Sequence, residues 1–205
     1  TLERTMAVSK KEALLQAAKD LFGECGYNET TFKKIAERAD VAMGLMTHHF
    51  GNKEKLFLAC GLDVLENFHK KLSEATASAE NGMAAVYNYC KAYLDFSVDP
   101  STNWLVLVRC SPYSDMKTSA DRDIMIEKFV QIHQVLISAL ERGLQDHSIA
   151  KVDPVQTAII IVSLMVGVNR TRVLTPYAPD NFYEEALNFV VRAVAPRPNE
   201  TGAQK

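Results

Sequence analysis

The chain lacks the motifs that mark a metal protein or a common enzyme. None of its four cysteines lies in a Cys-x-x-Cys pair, and no histidine stands at zinc-binding spacing beside them. This pattern favours reduced thiols in a cytoplasmic protein, and we expect no metal site and no cofactor. Because Gly-x-Ser-x-Gly, His-Glu-x-x-His and phosphate-cradling loops are also missing, we expect that the protein is not an enzyme.

A secretory signal and a long apolar run are missing as well. Residues 1 to 12 are mostly polar and charged, which argues against a signal peptide. The longest apolar stretch, residues 158 to 168, is too short to cross a bilayer. We therefore expect a cytoplasmic protein without a membrane partner.

An excess of charge of one sign is also absent. The formal net charge is -2 over 205 residues, so any nucleic-acid surface must be local. Residues 30 to 58 hold five Lys/Arg and three Asp/Glu, a balance of +2, which leaves -4 for the rest of the chain. The asymmetry is small, but it has the sign that contact with phosphates requires.

Helical periodicity runs through almost the whole sequence, and no alternating strand pattern persists, which predicts an all-α fold. The predicted N-caps are Ser9, Thr30 or Thr31, Asn52 and Asp153, and Gly26 is predicted to end the first helix. The predicted helices cover residues 9 to 25, about 31 to 39, 43 to 49, 52 to 79, 83 to 98, 101 to 111, 120 to 146, 154 to 174 and 180 to 195.

Residues 30 to 58 have the layout of a helix-turn-helix DNA reader: two short helices, a tight turn, and the start of a third helix. Asp40 occupies the turn, where a left-handed conformation is tolerated by Asp better than by most residues. Leu45 and Phe50 are the expected anchors of the second helix. Gly44 lets that helix lie close to another backbone.

Candidate DNA contacts follow from this layout. Met43, Thr47 and His48 are left to face outward, where a hydroxyl and an imidazole suit base edges and phosphates. Thr31 and Lys53 stand at helix N-termini, which attract phosphate. The full predicted DNA-binding set is Thr31, Lys33, Lys34, Met43, Gly44, Leu45, Thr47, His48 and Lys53. The alternative for each residue taken singly is a solvated surface charge or an ordinary surface histidine.

The same stretch resembles the N-terminal domain of the TetR family of transcriptional regulators. The matching residues are Gly26-Tyr27, Thr30-Thr31, Ile35-Ala36, Ala39, Val41, Gly44, His49-Phe50, Lys53 and Leu56. Three positions depart from the family pattern: Asp40 replaces the turn Gly, Ala42 the capping Ser, and Thr47 a phosphate-contacting Tyr. Loss of the cap should weaken the first turn of that helix by about 1 kcal/mol.

The resemblance implies an N-terminal three-helix DNA-binding domain and a C-terminal helical domain that binds a ligand and dimerises. The corresponding boundaries are residues 1 to 52, 53 to 195, and a flexible tail over 196 to 205. The apolar run 158 to 168 could face a second subunit, with Ala158, Ser163 and Gly167 permitting close approach; the alternative is the central helix of a monomeric bundle.

A small-molecule effector is the second expected partner, beside operator DNA. The pocket candidates are Tyr87, Tyr89, Tyr93, Trp104, Arg109, Tyr113, His133, Met165, Asn169 and Arg170, with Trp104, Arg109 and Tyr113 as the first choice. Two other functions stay open: a helical adaptor or acyl-binding protein that has lost DNA binding, and a small helical enzyme.

Overall fold

The computed structural model describes residues 9–109, for residue 109 the backbone alone, and residues 119–196. These residues form nine α-helices and one short 3₁₀ turn without any β-strand, which confirms the predicted all-α class. The helices are α1 (Lys10–Glu29), α2 (Phe32–Arg38), α3 (Gly44–Phe50), α4 (Lys53–Ala77), α5 (Gly82–Val98), α6 (Leu105–Arg109), α7 (Ser119–Gln145), α8 (Pro154–Leu174) and α9 (Phe182–Val194).

Side-chain caps start several of these helices where the sequence predicted them. Ser9 and Glu12 form a reciprocal capping box at the start of α1. Thr31, and not Thr30, caps α2 by accepting a hydrogen bond from the backbone of Lys34. Asn52 and Asp153 accept from the third residue of α4 and α8 in the same way. Each cap satisfies one of the N–H groups that a helix start leaves unpaired.

Gly26 breaks α1 where the sequence predicted the end of the first helix, with φ +80° and ψ 175°, and a further short helical segment follows the break as far as Glu29. One predicted boundary was wrong. The predicted helix over residues 101 to 111 is interrupted at Asn103, whose φ of 55° is left-handed. A 3₁₀ turn, Pro100–Thr102, precedes the break and α6 follows it. The predicted flexible tail lies outside the described residues except for Pro196.

The chain divides into two compact units. The first consists of Thr1–Leu65 with Pro100–Glu127, and the second of Glu66–Asp99 with Lys128–Lys205. Helices α4 and α7 therefore contribute residues to both units. The predicted boundaries at residues 52 and 195 concern function, and they stay a prediction.

In the first unit, α6 packs on α1 although the two are far apart in sequence. A Cβ added to Gly23 of α1 would lie 3.2 Å from the Leu105 Cβ, so the absence of a side chain permits this approach. The Asn103 amide donates to Asp20, and its oxygen accepts from Gln16, at 2.9 and 3.0 Å. The left-handed Asn103 thus ties the start of α6 to α1.

Aromatic side chains fill the core of the second unit. Phe68 of α4 lies with its ring centroid 4.9 Å from the rings of Tyr93 and of Phe96 on α5. The buried Tyr89 hydroxyl donates to the Ile132 carbonyl oxygen of α7 at 3.2 Å. Burial raises the pKa of the neighbouring Cys90 thiol to about 12, so this thiol is protonated at neutral pH.

Helix α8 is buried along one face only. Ala158, Ile161, Val162, Met165, Val168 and Asn169 are buried. The opposite face carries the exposed apolar residues Val155, Ile159, Ile160 and Val166. Helix α8 is therefore not covered on all sides within the chain, and the choice between a subunit interface and a monomeric bundle stays a prediction.

The expectation that no segment is long enough for a bilayer needs correction. The apolar stretch is part of a 21-residue helix, and an 18-residue window of it has a mean hydropathy of 1.5 with 33% of the window buried. This length and composition meet the requirement for a membrane span. Helices of protein cores and interfaces have the same properties, so this single helix is weak evidence for a membrane partner.

The start of α5 packs closely against the end of α7. Asp146 accepts the Gly82 N–H at 2.7 Å, and Ser148 accepts the Met83 N–H at 2.9 Å. Hydrogen bonds from the Ser148 side chain and from the backbone lower the pKa of Asp146, so this carboxylate is ionised at neutral pH. A Cβ added to Gly82 would lie 2.1 Å from the backbone of Gly143, so only glycine fits there.

We predict that Gly82→Ala lowers the free energy of unfolding by about 1–3 kcal/mol, because α5 must move away from α7. Chemical denaturation with urea measures the change. The matched control is Gly44→Ala, since Gly44 is also the first residue of its helix but has nothing within 4 Å of an added Cβ. We expect the control to be neutral or slightly stabilising; equal losses in both variants would contradict the prediction.

Candidate nucleic-acid interface

The tight turn between α2 and α3 sets the direction of α3. Asp40 adopts the predicted left-handed conformation, with φ 51°. The Val41 N–H donates to the carbonyl oxygen of Ala36 at 3.1 Å, which closes the turn against the end of α2. Both Ile35 and Ala36 are buried, so α2 is fixed in the core of the first unit and the turn starts from a rigid base.

The anchor of α3 is Met46, whose side chain is 0% exposed. The predicted anchors, Leu45 and Phe50, are only half-buried, so that prediction was wrong. A seven-residue helix makes two turns and buries only the residue in the centre of its inner face. Met46 holds that position, and the neighbouring Leu45 is turned partly towards solvent.

The residues that were predicted to face outward from α3 are exposed. Met43 is 59% exposed, and Gly44, Thr47 and His48 are exposed as well. The His48 and His49 ring centroids are 5.1 Å apart, and His49 is half-buried beside Phe50. Helix α3 therefore presents a thioether, a hydroxyl and an imidazole to solvent, with no bulky core residue among them.

The lysines proposed for phosphate contact have defined local partners. Lys34 donates to the carbonyl oxygen of Glu29 at 2.7 Å, which places it beside the N-terminus of α2. Lys33 lies 3.9 Å from Glu37, and both side chains are largely exposed. Exposed ion pairs at this spacing contribute little to stability. Lys33 can therefore exchange Glu37 for a phosphate at a small cost in free energy.

Lys53 has a more specific environment. Its Nζ atom lies 4.3 Å from the centroid of the Tyr27 ring and donates to the Asn28 carbonyl oxygen at 3.4 Å. Tyr27 itself stacks on Phe22, with ring centroids 5.8 Å apart. The start of α4 is thereby joined to the end of α1.

Two ion pairs of the first unit were missed by the sequence analysis. Arg38 forms a bidentate pair with Glu24 at 2.7 and 2.9 Å, which joins α2 to α1 and lowers the pKa of Glu24 through the hydrogen bonds. Lys55 pairs with the buried Asp121 at 2.6 Å, which joins α4 to α7. Both pairs connect residues far apart in sequence, so no local pattern could have revealed them.

The pocket candidates are dispersed. Tyr89, Tyr93, Met165 and Asn169 are buried in the second unit, His133 is half-buried there, and Tyr87 and Arg170 are exposed. Trp104 is buried in the first unit. Tyr113 and the Arg109 side chain lie outside the described residues. The first choice of Trp104, Arg109 and Tyr113 therefore stays a prediction.

A small polar cluster in the second unit was not predicted as a whole. The Tyr183 hydroxyl lies 3.2 Å from the Ser97 hydroxyl and donates to the Asn169 side-chain oxygen at 3.5 Å. Ser97 and Asn169 are buried polar residues. The guanidinium carbon of Arg172 lies 5.6 Å from the centroid of the Tyr183 ring. Only Asn169 of this cluster was among the predicted pocket residues.

Comparison with known proteins supports this interpretation of the N-terminal region. Residues 14–60 match the family model of the bacterial regulatory proteins, tetR family. The uncharacterized HTH-type transcriptional regulator YhgD of Bacillus subtilis is 26% identical over 162 residues, which are 79% of this chain and 83% of that protein. The chain spans about half or less of the length of several other curated relatives that it matches.

Solved structures extend the likeness to nearly the whole chain. The reduced form of NemR from E. coli has a TM-score of 0.78 at 24% identity, over 92% of this chain and 98% of that chain. AibR in complex with isovaleryl coenzyme A and operator DNA has a TM-score of 0.74 at 17% identity, over 92% and 99%. At these identities the two structures show a shared fold.

The start of α3 has no side-chain cap, as Ala42 predicts. We expect Ala42→Ser to raise the free energy of unfolding by about 1 kcal/mol, because the new hydroxyl can accept an N–H of the first turn of α3. Urea denaturation measures this gain. Ala42→Val is the control, since it adds side-chain atoms without an acceptor. A Ser variant no more stable than the Val variant would show that the first turn does not need a cap.

Proposed function

Because residues 14–60 match the family model of the bacterial regulatory proteins, tetR family, we propose that this chain is a member of that family and a ligand-responsive DNA-binding transcriptional regulator. It binds a palindromic operator in the cytoplasm as a homodimer, and it acts as a repressor that a small apolar or amphipathic molecule releases. The observation that carries the proposal is the exposed face of α3, presented on a helix whose inner side is fixed by the buried Met46.

The proposed DNA contacts fall into two groups. Met43, Gly44, Leu45, Thr47 and His48 enter the major groove with α3, where a hydroxyl and an imidazole can contact base edges. Thr31, Lys33, Lys34 and Lys53 contact phosphates and fix the orientation of α3. Support for the second group comes from the positions of Thr31 and Lys34 at the start of α2, where backbone N–H groups favour an anion.

The homodimer is supported by the uncovered face of α8. Ile159 and Ile160 are 51% and 67% exposed, and Val155 and Val166 are exposed on the same side. Gly167 is also exposed, and nothing lies within 4 Å of a Cβ added to it. An apolar face of this kind is typical of an interface between subunits. Two-fold pairing gives a helix-turn-helix protein access to two half-sites.

Ligand response is supported by the second unit, which contains buried aromatic and apolar side chains together with the polar cluster of Ser97, Tyr183 and Asn169. Such an interior suits an apolar or amphipathic molecule with one polar group. AibR, which has the same fold, was solved with isovaleryl coenzyme A and operator DNA. The effector shifts the equilibrium between two spacings of the DNA-binding units by its differential affinity, typically about 1–3 kcal/mol.

One observation favours a second function, that of a helical adaptor or acyl-binding protein without DNA binding. The start of α3 lacks a capping hydrogen bond, and Thr47 has a shorter reach than the Tyr of the family pattern. A loosely formed α3 would bind DNA weakly. The two functions differ in their salt dependence, because only the DNA-binding protein exchanges counterions with phosphates.

We expect selection from a library of randomised duplexes to enrich an inverted-repeat consensus. Binding of the enriched duplex should weaken steeply as salt rises, since each phosphate contact contributes about -0.9 to the slope of log K against log salt. Sequencing of the bound pool and titrations at several salt concentrations measure both effects. A pool without enrichment, together with binding that does not respond to salt, would favour the adaptor.

We expect Ile159→Glu to convert the dimer to a monomer, because the interface would bury two unpaired carboxylates. Sedimentation equilibrium measures the mass of wild type and variant. Val130→Glu on α7 is the matched control, because Val130 is 58% exposed but lies outside the α8 face. Dissociation by both variants, or by neither, would argue against the α8 face as the interface.

A further inference from the structure

Lys53 differs from the other lysines near α3 in that its ammonium group lies over an aromatic ring. The Nζ atom lies 4.3 Å from the centroid of the Tyr27 ring and 3.4 Å from the Asn28 carbonyl oxygen. At this distance the negative face of the ring attracts the ammonium group. Lys55, two residues further along α4, instead pairs with the carboxylate of Asp121 at 2.6 Å.

The Tyr27 ring is itself fixed by two buried phenylalanines. It stacks on Phe22 with an interplanar angle of 10°, and it meets the edge of Phe57 with ring centroids 5.1 Å apart. Phe22 and Phe57 are both 0% exposed and contact each other with a centroid distance of 5.4 Å. The ring therefore has a fixed position on the core, and its contact with Lys53 fixes the position of the ammonium group in turn.

The backbone before the ring is fixed as well. Gly26 adopts φ +80° and turns the last part of α1, so that Tyr27 begins a new turn. The Thr30 hydroxyl, in a residue that is 0% exposed, lies 2.8 Å from the Gly26 carbonyl oxygen and 3.1 Å from that of Leu21. The Thr30 N–H donates to the Tyr27 carbonyl oxygen at 3.3 Å. These hydrogen bonds fix the conformation of the turn that carries the Tyr27 ring.

This arrangement has a consequence for binding. A free lysine side chain has four rotatable bonds, and fixing it on a phosphate costs conformational entropy. A lysine whose ammonium group is already restrained at the start of α4 loses less of that entropy when it binds. An ammonium group carries three N–H bonds, so a lysine can donate to more than one acceptor.

We propose that Tyr27 is a positioning residue for DNA binding, whose ring holds the Lys53 ammonium group ready to contact a backbone phosphate. The inference rests on the proposed DNA-binding function. It assigns to Tyr27 a role beyond the core, although Tyr27 itself need not touch DNA.

The test compares Tyr27→Leu, Tyr27→Phe, Lys53→Met and the double variant Tyr27→Leu/Lys53→Met. The probes are the most enriched duplex of the library selection and a shuffled duplex of the same length, each titrated over a range of salt concentrations. We expect Lys53→Met to weaken binding of both duplexes and to reduce the salt slope by about one. Tyr27→Leu should weaken binding about two- to fivefold, the worth of an exposed cation–π contact.

The double variant distinguishes positioning from simple destabilisation. We expect it to bind as weakly as Lys53→Met alone, because the ring acts only through the ammonium group. Tyr27→Phe keeps the ring and should restore wild-type affinity and slope. Lys71→Met is the charge-matched control, since Lys71 is an exposed lysine of the same helix in the second unit, and it should change neither.

A readout without DNA completes the test. Ring-current shielding should move the NMR signals of the Lys53 ε-methylene upfield in wild type and Tyr27→Phe, and this shift should vanish in Tyr27→Leu. If Tyr27→Leu retains the wild-type affinity and salt slope, or if its effect persists in full in the Lys53→Met background, the inference is wrong although DNA binding stands. A wild-type chain that binds neither duplex overturns the inference together with the proposed function.

Discussion

Helix α3, the proposed recognition helix, cannot fold on its own, and the first unit is organised around that constraint. Helix α3 has seven residues, whereas isolated helices shorter than about 12–15 residues are marginal in water. It must also leave one face bare, so it can bury only a small part of its surface. The buried Met46 and the left-handed turn at Asp40 are the two features that hold it. Every proposed base contact depends on them.

The charge of the protein imposes a second constraint. With a net charge of -2, the chain has no general attraction for DNA, and a few placed cations must supply it. The structure meets this need by giving those cations fixed neighbours. Lys34 is held by the Glu29 carbonyl oxygen, and Lys53 by Tyr27 and the Asn28 carbonyl oxygen. Holding these cations in place compensates for their small number in the proposed DNA binding. A restrained side chain loses less conformational entropy when it contacts a phosphate.

Local features of the fold could be predicted from the sequence, and contacts between distant segments could not. Helix positions followed from periodicity, and the caps at Ser9, Asn52 and Asp153 followed from residue type, because both are decided within a few residues. Met46 was missed since a two-turn helix has too few residues to define its inner face by pattern. The pair Lys55–Asp121 joins residues 66 positions apart, and the Gly82–Gly143 contact joins residues 61 apart, so only the folded chain brings them together.

The membership of residues 100 to 127 in the first unit has the largest effect on how a ligand signal could reach DNA. In the sequence these residues belong to the predicted ligand-binding domain, yet α6 packs on α1 and the start of α7 is joined to the start of α4 through Asp121 and Lys55. The Asp121 side chain is 2% exposed, and a buried carboxylate that loses its partner costs about 3–5 kcal/mol. That cost exceeds the 1–3 kcal/mol typical of allosteric coupling. The pair therefore favours joint movement of the first turns of α4 and α7 over their separation. Under the proposed function, this pair favours a response in which α3 keeps its place on the core of the first unit over a local unfolding of the DNA-binding helices.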